Sequence, residues 1–154
     1  MRTRRIVCRG SWPSGILDMA NVCGPTLGSI SQNFGIAPLI GKRLAVIADA
    51  RLSGRADQQV IVERLLAITG EDSLSIDRKF RTAWDGRLET RFLILTNEVP
   101  KLTDSSGALA SRFVTLILRK SFRGLGDHGL TDKLLAEMPG ILKWAIEGWD
   151  RLAA

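Results

Sequence analysis

Three side chains in this sequence stand where phosphate chemistry would want them. Asp49 closes the apolar run Leu44–Ala48, Asn97 closes the run that starts at Arg91, and Arg112 follows the small residues Ala108, Ala110 and Ser111. In open α/β sheets, ligands sit just beyond the carboxyl ends of the strands. A carboxylate placed there can hold a magnesium ion and, through it, a nucleotide's phosphates. An amide at the end of a neighbouring strand suits an attacking water near a terminal phosphate. An arginine entering a strand can reach over to a neighbouring subunit's phosphate. Plainer readings stand beside these: a core strand that ends in a turn aspartate, and an ordinary strand-edge charge. A fourth group, Arg78-Lys79-Phe80-Arg81, is the densest basic cluster outside the N-terminus. Its charge suits a nucleic-acid backbone, although a solvated hairpin would have the same composition.

These residues need a frame. Leu44–Ala48 is a continuous apolar run, the pattern of a short strand buried on both faces, and Arg91–Asn97 repeats it. Between them, Val60, Ile61, Leu65, Leu66 and Ile68 recur at helical spacing over Ala56–Thr69, with Gly70 as a stop. Ser73–Glu89 alternates in places, and Asp85-Gly86 is a two-residue turn signal. The expectation is a β-hairpin with the basic residues on one arm near its tip. Asp104–Ser111 suits a short helix capped by Asp104 or Ser105, and Phe113–Leu118 reads as a third apolar strand. Leu130–Glu137 and Gly140–Leu152 read as helices, the second opened by Pro139. Trp144, Ile146 and Trp149 would then face the core or a second subunit. Residues 1–25 have no clear period, residues 26–40 read as loop or short helix, and His128 falls in a solvated loop.

Composition narrows the function classes. The 154 residues suffice for one domain with a real core but not comfortably for two. No apolar run approaches a membrane span, and Arg2, Arg4, Arg5 and Arg9 are not followed by the apolar core of a signal peptide. Cys8 and Cys23 alone make neither a disulfide framework nor a metal site, which points to the cytoplasm. A net charge of +6 fits an anionic partner, with nucleic acid the natural candidate. No nucleophile–base pair suggests another kind of hydrolase.

Two stretches approach a phosphate-binding loop without completing it. Gly10-Ser-Trp-Pro-Ser-Gly15 has the glycine spacing, but Ile16 and Leu17 stand where lysine and a hydroxyl are needed. Gly41-Lys42 is followed by Arg43 and a strand, where a hydroxyl and a helix should come.

Taken together, several segments resemble the C-terminal helicase domain of phage and plasmid primase–helicases. They are Phe34-Gly35, Leu39-Ile-Gly-Lys-Arg-Leu-Ala-Val-Ile-Ala-Asp-Ala-Arg51, Glu63-Arg-Leu-Leu-Ala-Ile-Thr-Gly-Glu-Asp72, Ile76-Asp-Arg-Lys79, Thr96-Asn-Glu-Val-Pro100, Ser106-Gly-Ala-Leu-Ala-Ser-Arg-Phe113 and Leu134-Leu-Ala-Glu-Met-Pro-Gly-Ile-Leu142. Those proteins belong to superfamily 3 of the AAA+ ring ATPases, and the likeness runs from about Gly24 to Leu152. It implies a P-loop NTPase (AAA+-like) three-layer α/β sandwich with C-terminal helices, present here in part. By the same resemblance Asp49 is the Walker B magnesium ligand, Asn97 the motif C sensor, and Arg112 the arginine finger offered to an adjacent subunit. Arg78 and Lys79, with Arg81 beside them, fall in the region that forms a DNA-contacting hairpin. ATP and Mg2+ are the implied cofactors, single-stranded DNA the partner, and a homo-oligomer, hexameric in the full-length protein, the assembly.

The sequence departs from that pattern in two ways. Ala50 follows Asp49 where many relatives carry a second acid, and Glu63 is the available substitute. The phosphate loop and any primase domain are missing, so residues 1–23 form an irregular segment and 24–152 a truncated helicase domain. A truncated or frame-damaged product whose recognisable frame begins near Ala20 accounts for both. In relatives the strand leading into the phosphate loop lies between the Walker B and sensor strands, so its loss implies a gap in the middle of the sheet. Thr3–Cys8 is the makeshift candidate to fill it. The first reading is therefore part of an ATP-dependent DNA helicase acting in replication. The alternatives are a non-catalytic DNA-binding or ring-assembly module, or a degenerate remnant.

Overall fold

A computed structural model describes residues 18–48, 50, 56–97, 107–120 and 124–153. The chain divides into two compact units, one built on Met19–Val114 and one on Thr115–Ala154. Among the described residues the first is of mixed α/β type and the second is helical.

The first unit runs β1 (Val22–Cys23), β2 (Leu44–Ala48), α1 (Ala56–Thr69), β3 (Ser73–Arg78), β4 (Arg81–Arg87) and β5 (Arg91–Leu95), with 3-10 turns at Gly28–Ser31, Ala37–Leu39 and Ala110–Arg112. β1, β2 and β5 form a parallel sheet in the order β1-β2-β5. β2 earns its central place by composition. Ala45 and Ile47 are fully buried and Leu44 and Val46 half-buried, as expected of a parallel strand covered on both faces. Its ladder with β5 is continuous from Leu44↔Arg91 to Ala48↔Leu95. The expected gap in the middle of the sheet is therefore absent. Each strand meets the backbone groups of the other along that side, so nothing there waits for a third strand. The makeshift strand Thr3–Cys8 lies outside the described residues. β1, within the stretch that showed no period, pairs Val22 with Leu44 and Cys23 with Ala45.

α1 covers this sheet region with Ile61, Val62, Leu65 and Ile68, which meet Leu27, Ile30, Leu39 and Ile47 in one buried cluster. Each such side chain contributes about 1.5–3 kcal/mol by leaving water. Arg64 donates to the carbonyls of Ile30 and Gln32, tying α1 to the Gly28–Ser31 turn. The helix ends at Thr69, as expected, but its left-handed capping residue is the one after the glycine. Glu71 takes the left-handed conformation (φ 60), Asp72 N donates to Ala67 O at 3.0 Å and Glu71 N to Ile68 O at 3.1 Å. These are the two bonds of a Schellman cap.

β3 and β4 form an antiparallel hairpin, but its turn is not Asp85-Gly86. Those residues lie inside β4, opposite Ser75 and Leu74, and the chain reverses at Lys79-Phe80 between the paired Arg78 and Arg81. The hydrophobic register decides this: pairing Ile76 with Trp84 lets Ile76 be buried. Gly86 serves as a space for Trp84, whose ring atoms would lie 2.7 Å from a β-carbon added there.

The third strand expected over Phe113–Leu118 does not form a ladder among the described residues. Val114 is 90% exposed, and Leu116, Ile117 and Leu118 are also exposed. An apolar run specifies a strand only where an edge is within reach to pair with it. The Asp104–Ser111 helix falls largely outside the described residues, and the chain resumes with the 3-10 turn Ala110–Arg112.

The second unit contains α2 (Leu130–Ala136) and α3 (Met138–Ala153). Pro139 is tolerated because it occupies the first turn of α3, where its missing N–H costs no helix bond. Ahead of α2, Asp127 accepts from Lys133 Nζ at 2.6 Å and Gly129 N at 2.9 Å, which holds its carboxyl below the ordinary range. Trp144, Ile146 and Trp149 are exposed, which corrects the core-facing alternative for them. Two helices of 7 and 16 residues cannot enclose both sides of such a face. No helix among the described residues is long and apolar enough to cross a membrane.

Candidate functional site

Two places in the first unit gather the residues that the sequence singles out. The first is the carboxyl end of the sheet. Ala48 and Leu95 are register partners there. Asp49, next in sequence after Ala48, lies outside the described residues, while Asn97 stands two residues past β5 and is half-buried. Adjacent parallel strands therefore end together, at the end of the sheet where ligands sit in open α/β folds.

Whether Mg2+ and ATP fit here depends on what else reaches this end. Glu63, the candidate second acid, is exposed on α1, where it accepts from Gln59 Nε2 at 3.0 Å. No group of three or more metal-ligating side chains occurs among the described residues. Lys42 is at the wrong end: it precedes β2, whose five residues span about 16 Å, and its ammonium donates to the Ala20 carbonyl. Gly41 has φ 74 and serves the turn before β2, not a phosphate cradle. Gly10–Gly15 lies outside the described residues. The described residues thus do not amount to a magnesium-nucleotide site, and no hydrolytic step can be built on them. At that same amino end, burial pushes the Cys23 thiol up, partly opposed by Lys42.

Arg112 is exposed but engaged. One guanidinium nitrogen donates to Leu66 O at 2.7 Å and to Thr69 Oγ1 at 2.9 Å, both on the last turn of α1. A cation at a helix C-terminus meets the negative end of the helix dipole. Arg112 therefore ties the 107–112 segment to α1 of its own chain.

The second place is the hairpin tip, where the structure gathers four residues. Arg78 and Arg81 face each other across the ladder, and Lys79 and Phe80 form the turn. Arg78 Nε donates to Thr82 O at 2.9 Å, fixing the start of the guanidinium and leaving its outer nitrogens free of that bond. Lys79 Nζ stands 5.2 Å from the Phe80 ring centroid, within cation–π range. No ion pair to any of these three cations occurs among the described residues. The base of the hairpin is firm by contrast. Ile76 and Leu88 are buried, and the Thr90 hydroxyl, fully buried, lies 2.7 Å from Lys42 O and 3.2 Å from Leu39 O.

A family model, described as a family of unknown function (DUF5906), matches residues 14–112. The chain belongs to DUF5906. No curated protein matches it. The DUF5906 match takes in β1 to β5, the hairpin tip and Arg112, and ends before the exposed Phe113–Leu118 run. The residue that sequence reasoning passed over is Phe80. Its signal was an aromatic inside a basic cluster, a pattern suited to stacking beside phosphate contacts.

Proposed function

We propose that this DUF5906 chain is the C-terminal part of an ATP-dependent DNA helicase of the phage and plasmid primase–helicase kind, acting in DNA replication. The observation that carries the reading is the unbroken parallel ladder from β2 to β5. It brings together the carboxyl ends of the two strands that precede the Walker B-like Asp49 and the sensor-like Asn97, without the strand that the resemblance puts between them. Single-stranded DNA would lie against the β3–β4 tip through Arg78, Lys79 and Arg81. Bound ATP and Mg2+ would supply the driving reaction, with Asp49 as metal ligand and Asn97 as water-orienting amide. The cradle for the phosphates would have to come from sequence outside this chain. In a homo-oligomeric ring Arg112 would serve a neighbour's nucleotide after leaving the end of α1.

A second reading is favoured by a specific observation. Lys42, the lysine next to a glycine-containing turn, sits at the end of β2 away from Asp49. The chain would then be a DNA-binding or ring-assembly module without catalysis of its own. Two measurements separate them. The DNA upstream of the Met1 codon, translated in all three frames, should encode a Gly-Lys-Ser or Gly-Lys-Thr loop. A protein joining that loop to this chain should show DNA-stimulated ATP hydrolysis abolished by Asp49→Ala. Turnover indifferent to Asp49→Ala, or the lack of such a loop in every frame, would refute the helicase reading.

A further inference from the structure

Phe80 is placed at a cost that the fold does not repay. It is 93% exposed, so its ring adds nothing to the core. It also takes φ 59 as the second central residue of a two-residue turn. That position asks for glycine or asparagine, because a β-carbon in the left-handed region crowds the backbone. A bulky side chain held there is strained, and such strain gathers where a side chain is used. The ring's surroundings indicate the use. Lys79 stands over it at 5.2 Å, and Arg78 and Arg81 flank the turn on both strands. An exposed aromatic face among cations matches a nucleotide, whose base offers a π-face and whose phosphate offers the charge.

We propose that Phe80 stacks on an unpaired base of single-stranded DNA while Arg78, Lys79 and Arg81 hold the flanking phosphates. The proposal rests on the hairpin reading above and makes it specific: a duplex, with its bases already stacked on one another, cannot offer the face that Phe80 needs. Lys79 swings from the ring to a phosphate as the base arrives. The exposed ring thus has a cation beside it when free and a base against it when bound.

The test measures binding of the purified chain to fluorescein-labelled oligo(dT) and to the same strand carrying abasic sites, alongside thermal unfolding. Phe80→Gly should weaken oligo(dT) binding by at least about fivefold. It should leave abasic-strand binding and the salt dependence unchanged, and unfold at no lower temperature than the parent because the turn is relieved. Phe80→Trp should retain the preference for oligo(dT) over the abasic strand. Equal oligo(dT) affinity of Phe80→Gly and parent would overturn stacking, as would equal affinity of the parent for both strands. So would a Phe80-dependent association with phosphatidylserine vesicles in place of DNA. The phosphate-contact reading fails separately, if Arg78→Ala/Lys79→Ala leaves the salt dependence as it was.

Discussion

Removing two of the three cations at the hairpin tip should change the salt dependence of DNA binding by a calculable amount. Each phosphate neutralised on a single strand contributes about −0.7 to the slope of log K against log salt. Arg78, Lys79 and Arg81 therefore contribute about −2.1 together, and a fourfold rise in salt should weaken their share of binding about 18-fold. Arg78→Ala/Lys79→Ala leaves Arg81 alone, with a share of about −0.7 and a loss of only about 2.6-fold over the same range. Other cations in the chain, Arg2, Arg4, Arg5 and Arg9 among them, add equally to both proteins. The readout is thus the difference in slope, about 1.4. Fluorescence anisotropy with labelled oligo(dT), titrated at 50–200 mM potassium chloride (about a fourfold span), gives it directly. The hairpin strands should survive the change, because the ladder from Ser73↔Arg87 to Ile76↔Trp84 is untouched. Parallel salt plots for the two proteins would remove the hairpin tip from the DNA interface.

Thr90→Val should destabilise the first unit by about 1–3 kcal/mol in urea unfolding, because the Lys42 carbonyl loses its buried hydroxyl partner while the shape is kept; an unchanged midpoint would refute the clamp. The Asp127 carboxyl is held below its ordinary range by Lys133 and the Gly129 amide. Its contribution to α2 is therefore present above the unfolded carboxylate range and lost as pH falls through the lower folded value. Helicity read by circular dichroism should fall on acidification in the parent, and that component should be missing in Asp127→Asn. Ile117→Lys should suppress concentration-dependent aggregation seen by light scattering, since Phe113–Leu118 is an exposed, uncharged, proline-free run; equal scattering would show that this run is not the sticky segment.

How much the sequence made legible depends on the reach of each signal. β2, β5 and α1 are read directly, because a buried strand and an amphipathic helix each write their period into consecutive residues. The hairpin is legible as an element but not in its turn. Asp85-Gly86 carries a stronger local turn signal than Lys79-Phe80, and the burial of Ile76 opposite Trp84 overrides it. Phe113–Leu118 fails for the converse reason: its strand propensity is intact, and no pairing edge meets it among the described residues. Arg112 is legible as an arginine near small residues, but its bonds to Leu66 and Thr69 join positions more than forty apart in sequence. No local pattern announces such a contact. β1 is too short, at two residues, to show any period at all.

The route of the chain from β2 to β5 gives the two candidate places a common foundation. α1 and the β3–β4 hairpin are both carried on that single crossover, and only Leu88, Glu89 and Thr90 separate β4 from β5. Two of these three are buried. Glu89 pairs with Arg43 just ahead of β2, and Arg91 N donates to Arg43 O at 2.9 Å as the ladder begins. The hairpin's base is therefore fixed to the amino end of the same two strands whose carboxyl ends lead to Asp49 and Asn97. Among the described residues its tip carries no comparable anchor: Phe80 is exposed and Lys79 rests on the Phe80 ring. A load on the tip would bend the exposed end first and reach the sheet through the buried base of the hairpin, by way of Ile76, Leu88 and Thr90. Under the helicase reading, displacement of DNA and events at the strand ends would have to be exchanged through these three residues. The Thr90 hydroxyl, between the carbonyls of Leu39 and Lys42, ties that connection to the turn ahead of β2.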